Sequence, residues 1–198
     1  MGGIPKKTVI NHVLAWFSAL TISLLLLYIS AFTLYGCFSF EEKISGLERL
    51  GEIVSSIIDI SSSGSQTTYS ENVATTLRVA TVIFTSNAKI NTLFAIPFVG
   101  TVVYGSAIAY TSTIGRYIAE LIAGDEWENF FLTYIFGFPH TYFEFLAYSI
   151  ATTESTWLGV LAIRRRLKKA NIGFYLFSIA LSFTILFIAA LLEAIVVI

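Results

Sequence analysis

The stretch Asn129–Ile163, NFFLTYIFGFPHTYFEFLAYSIATTESTWLGVLAI, decides how the rest of the chain is read. It is mostly apolar, yet it holds Gly137, Pro139, His140, Glu144 and Glu154. A helix needs about 20 residues, at about 1.5 Å each, to cross the hydrocarbon of a bilayer. The 35 residues here are too many for one crossing and too few for two with a loop. Gly-Phe-Pro is helix-breaking punctuation. The spacing therefore predicts a half-helix over Asn129–Phe136, a break at Gly137-Phe138-Pro139, and one full span beyond it.

Three other windows carry no charge for at least the length of a crossing: Val13–Gly36 (24 residues), Ile90–Gly115 (26) and Ile172–Leu192 (21). A fifth candidate, Ser70–Ala88, carries Arg78 near its middle. Composition agrees with this count. The 198 residues are 56% hydrophobic and 13% charged, with a mean hydropathy of +0.77, whereas soluble domains carry about 25% charged residues. A water-soluble enzyme is excluded. One cysteine, Cys37, cannot form a disulfide within the chain, and a net charge of −1 gives no general attraction to nucleic acid. Lys6 and Lys7 precede the first span as they would precede a signal peptide. Its uncharged core exceeds the usual 7–15 residues, so it reads as an anchor. Tyr35 fits poorly with a lipoprotein cleavage site before Cys37.

The fold expected is all-α: a polytopic membrane bundle of about five helices in a single integral domain, residues 1–198. The first span is followed by an extracytoplasmic loop (37–69) and a four-span core (70–198). Within the loop, Ile44, Leu47, Leu50, Ile53, Val54, Ile57 and Ile58 recur at helical spacing, opposite Glu48, Arg49, Glu52 and Asp59. This predicts an interfacial amphipathic helix lying at the membrane surface or on a partner. Ser61–Gln66 reads as a flexible loop.

Positive charge stays on the cytoplasmic side. Lys6, Lys7, Lys89, Arg164, Arg165, Arg166, Lys168 and Lys169 then lie inside, eight of the twelve basic residues. The acidic loops lie outside. The N-terminus is expected in the cytoplasm and the C-terminus outside, in a multi-pass protein of the cell membrane.

Two stretches carry a family resemblance. Phe138-Pro139-His140-Thr141-Tyr142-Phe143-Glu144-Phe145-Leu146-Ala147 opens the fourth span, and Ala189-Ala190-Leu191-Leu192-Glu193-Ala194 closes the last. Together with the Asn87 region and the span holding Gly100 and Gly105, they resemble the stage II sporulation protein M family over about residues 70–198. Thr141 stands where that family has Gly, and Ser155-Thr156 where Gly-Leu is common. The resemblance implies a prokaryotic membrane protein associated with a cell-wall remodelling complex and no catalytic activity.

Ionisable residues inside a bilayer cost about 2.5–3.5 kcal/mol each and seek partners in the bundle interior. Arg78, Glu144, Glu154 and Glu193 qualify. Arg78 and Glu154 each lie ten residues from the cytoplasmic end expected of their helix. They are expected to pair, either as structural glue or as a pathway lining. His140 and Glu144 share a helical face at the outer end of the fourth span, with His140 read as a capping and hydrogen-bonding residue. Glu193 is expected at similar depth. One histidine and one carboxylate are too few to hold a metal, and there is no His-Glu-x-x-His. No metal, cofactor or catalytic residue is expected. Gly105, Ala109 and Thr113 form a small-residue stripe expected to pack against another helix. Trp16, Trp127 and Trp157 are read as interface aromatics. The expected partners are the lipid bilayer and either other membrane subunits or further copies of the chain. The expected role is a non-enzymatic subunit or scaffold, and the alternative is an oligomeric small-solute or ion transporter.

Overall fold

A computed structural model describes residues 6–39, 41–48, 51, 52, 55 and 69–197. Among these residues the chain is helical throughout, with no strand. Helix α1 is Lys6–Thr33 and α2 is residues 41–48. Beyond them come α3 (Tyr69–Phe94), α4 (Val99–Ala123), α5 (Trp127–Phe136), α6 (Pro139–Ile163) and α7 (Lys169–Val197). Of the expected amphipathic helix, 51, 52 and 55 are also helical, while 49, 50, 53, 54 and 56–59, together with the Ser61–Gln66 loop, lie outside the described residues.

Helix α6 packs chiefly on α7, α7 on α3, and α1 on α4 and α6. The main core joins Leu27 and Ala31 of α1 to Phe94, Tyr104, Ile108, Phe131, Phe145 and Ala151. A second core binds Val79, Ala80 and Ile83 of α3 to Ala190 and Ala194 of α7. Among the described residues two helices are long and apolar enough to cross a membrane, Thr8–Thr33 and Lys169–Val196, with mean hydropathies of 2.1 and 2.5. Leu14, Phe17 and Leu25 on the first, and Leu176, Phe177 and Ile195 on the second, are each more than half exposed.

The break before Pro139 is present. Helix α5 starts at Trp127 rather than Asn129 and ends at Phe136. Gly137 caps it, its N–H donating to the Thr133 carbonyl at 2.8 Å, and a Cβ there would collide with that same carbonyl. Phe138 is extended, and Pro139 opens α6 at the first turn, where its missing N–H is no loss.

The window Ile90–Gly115 does not form one helix. Helix α3 runs on to Phe94 and α4 starts at Val99. The cause is Pro97, which has no N–H to continue a helix and biases Ile96 away from helical geometry. Phe98 takes φ +66°, and the Val99 N–H donates to the Pro97 carbonyl at 2.9 Å, which closes a γ-turn. Gly100 fits beneath this turn because a Cβ there would collide with the Phe94 carbonyl. The absence of charge from the window conceals a reversal of the chain.

Candidate functional site

The polar side chains inside the bundle collect into three clusters. The inner one is built on Glu154, which is 1% exposed on α6. It accepts from His12 Nδ1 at 2.6 Å and from Trp16 Nε1 at 2.7 Å. His12 and Trp16 are four residues apart on α1, so one helical face presents both to the carboxylate. Phe174 of α7 lies 4.6 Å from the His12 ring between centroids, and Trp157 stands edge-on at 5.6 Å.

The expected Arg78–Glu154 pair does not form. Arg78 is exposed, and its neighbours Val79 and Ala80 pack against Ala190 and Ala194 near the end of α7. The physical reason is the missed turn at Pro97. With α3 ending at Phe94 instead of Ala88, Arg78 lies sixteen residues, or about 24 Å, from the end of its helix. It stands near the start of α3, far from the turn at residues 95–98, instead of mid-helix as expected. Glu154 takes its partner from α1.

The second cluster lies where α3, α6 and α7 meet. Asn87 Nδ2 donates to Glu144 Oε1 at 2.5 Å, tying α3 to α6. Glu193 of α7 and Tyr134 of α5 lie in the neighbourhood of Glu144. His140, one turn above Glu144, stacks on Phe138 at 5.6 Å, and its Nδ1 is buried with no hydrogen-bond partner. Asn91, a turn below Asn87, is fully buried and bonds Ser182 Oγ at 3.0 Å.

The third cluster clamps the chain leaving α1. The Arg116 guanidinium lies between the rings of Tyr35 and Trp127, 4.2 Å from each centroid, an arrangement that cation–π attraction favours. It also donates to Glu120 at 2.8 Å and to the Ala31 carbonyl at 3.0 Å. The Tyr35 hydroxyl donates to Glu120, and Lys43 covers Tyr35 at 3.8 Å. Farther along, Ser39 and Glu42 form a reciprocal cap on α2, with the Ser39 N–H to Glu42 at 2.8 Å and the Glu42 N–H to Ser39 Oγ at 3.2 Å. These donors hold the Glu42 carboxyl below its usual pKa, the backbone N–H contributing most.

The small-residue stripe is not a continuous contact. Gly105 is exposed with open space where a Cβ would stand, Ala109 is half-buried, and only Thr113 is fully buried. Two of the tryptophans are structural donors or stacking partners, Trp16 on Glu154 and Trp127 on Arg116, while Trp157 is exposed. Sequence reasoning missed His12, Trp16, Tyr35 and Arg116. The available signals were the four-residue spacings His12–Trp16 and Arg116–Glu120. Among the described residues no group of three His, Cys, Asp or Glu side chains is placed to hold a metal. No family model, no curated protein and no solved structure matches the chain.

Proposed function

We propose that this chain is a multi-pass protein of a prokaryotic cell membrane, working as a non-enzymatic subunit or scaffold of a membrane complex. In this reading α1, α3, α4, α6 and α7 cross the bilayer, with the N-terminus inside and the C-terminus outside. The partners are lipid and other membrane subunits. The observation that carries it is the closure of Glu154 onto His12 and Trp16. The most deeply buried carboxylate among the described residues is used to join α1 to α6. The resemblance to stage II sporulation protein M is in keeping with such a role.

A transport reading rests on the Glu144–Glu193 pair, two neighbouring carboxyls beside a broken helix, since broken helices at membrane depth are tolerated where they line a cavity. One comparison separates the two. The purified chain in sealed vesicles is expected to pass no protons or small cations. The gently solubilised complex is expected to contain a second protein at fixed stoichiometry by native mass spectrometry. Conduction by the purified chain that is lost in Glu144→Gln would instead establish transport.

A further inference from the structure

Helix α3 presents its polar side outward. Ala74, Arg78, Thr81, Thr85, Lys89 and Thr92 are all exposed, at spacings of four, three, four, four and three residues. They form one continuous stripe along the helix. The opposite face, with Val79, Ala80, Ile83, Asn91 and Phe94, is buried in the bundle. Val73, Leu77, Ile90 and Leu93 are exposed beside the stripe, so the outer face is mixed: lipid suits its apolar residues and does not suit a cation at depth. Asn91, two residues beyond Lys89, bonds Ser182, the fourteenth of the 29 residues of α7. If α7 crosses the bilayer, Lys89 lies near the midplane and faces out of the bundle.

A lysine cannot stay there alone. Charged side chains at mid-bilayer are strongly disfavoured and pair with a partner, and a lysine stem is too short to reach either surface from the centre. Among the described residues neither Arg78 nor Lys89 makes an ion pair or hydrogen bond within the chain. The three threonine hydroxyls on the stripe bond back to carbonyls of their own helix, at 2.7, 2.7 and 2.8 Å. The stripe is therefore slim and leaves Lys89 as the cation requiring compensation within the hydrocarbon, with Arg78 at its outer edge. Arg78 and Lys89 are eleven residues apart, about 16 Å along the axis and almost in line.

We propose that the outer face of α3 is the docking surface for a transmembrane helix of a different subunit, which presents carboxylates to Lys89 and Arg78. A second copy of this chain does not meet the requirement. Two copies in one membrane, joined stripe to stripe about a twofold axis, would set Lys89 against Lys89 and Arg78 against Arg78. The proposal deepens the scaffold reading and rests on its membrane placement.

The test uses the full chain, labelled with a donor fluorophore at exposed Cys37 and reconstituted in phosphatidylcholine vesicles. The probes are two acceptor-labelled synthetic leucine–alanine helices, one with two aspartates eleven residues apart and one with leucine at both places. The aspartate helix is expected to bind about 3- to 30-fold more tightly, the range spanned by polar contacts between helices in membranes. Lys89→Met, a change on an exposed surface whose helicity circular dichroism verifies, is expected to remove most of that preference. Equal binding of the two helices, or a preference untouched by Lys89→Met, overturns the proposal. So does energy transfer between copies of the chain that Lys89→Met abolishes, because a second copy would then be the occupant. Flotation of the vesicles separates the two levels: a chain that does not float refutes the membrane placement itself, and one that floats without preference refutes only the partner.

Discussion

Glu154 shows how one residue can be expected in the bundle interior, be buried there, and still take a different partner. Its burial follows from an acidic residue ten positions inside an apolar helix. Its partner depends on which neighbouring helix is adjacent, and a single turn at Pro97 changed that. The pair to break is His12–Glu154. Removing one member of a buried pair leaves the other uncompensated, commonly at about 3–5 kcal/mol. His12→Met or Glu154→Gln is therefore expected to lower stability in detergent sharply, with the double variant recovering part of the loss. Arg78→Met, on an exposed side chain, is expected to leave it within about 0.5 kcal/mol. Thermal unfolding of the four proteins is the measurement. A large loss in Arg78→Met with a small one in His12→Met would contradict this assignment.

Among the elements, α5 and α6 were legible because Gly137 and Pro139 stand in an apolar stretch of conspicuous length. The split between α3 and α4 was not, although Pro97 was in plain sight. The charge-free window was long enough for one crossing, and length outweighed the proline. Cap chemistry was equally readable and equally overlooked: Ser39-x-x-Glu42 is a capping box before the helix of residues 41–48. It gives a prediction that belongs to this element. Because the folded-state pKa of Glu42 is lowered by the Ser39 donors, the stabilisation is present above the ordinary glutamate pKa. It fades as pH falls through the lowered value. The helicity of α2, followed by backbone amide exchange in that segment, is expected to decline on acidification below about pH 4. Ser39→Ala should lower it at neutral pH and flatten the pH dependence. An unchanged profile in Ser39→Ala would assign the pH response to another group. The clamp around Arg116 had no comparable signal, since stacking between Tyr35 and Trp127 joins residues 92 positions apart, on either side of three helices.

At the scale of the molecule, the turn at Pro97 changes the arithmetic of orientation while leaving its direction in place. On the proposed topology Lys89 leaves the inner loop and becomes part of α3, and the inner side keeps Lys6, Lys7 and the five cations of 164–169, seven of the twelve basic residues. All five of the latter are exposed, and reversing the path would carry them across the membrane, against the cytoplasmic preference of Lys and Arg. The inner connection between α3 and α4 is now the uncharged turn at residues 95–98, with Ile96 41% exposed. Single cysteines placed in a Cys37→Ser background locate each side. Position 45 is expected to react with an impermeant maleimide in intact cells, and positions 96 and 167 only after permeabilisation. Reaction at 167 in intact cells would invert the whole path. Reaction at 96 alone would mean that α3 returns to the outer side without crossing, which would also remove Lys89 from the midplane and with it the need for an acidic partner helix.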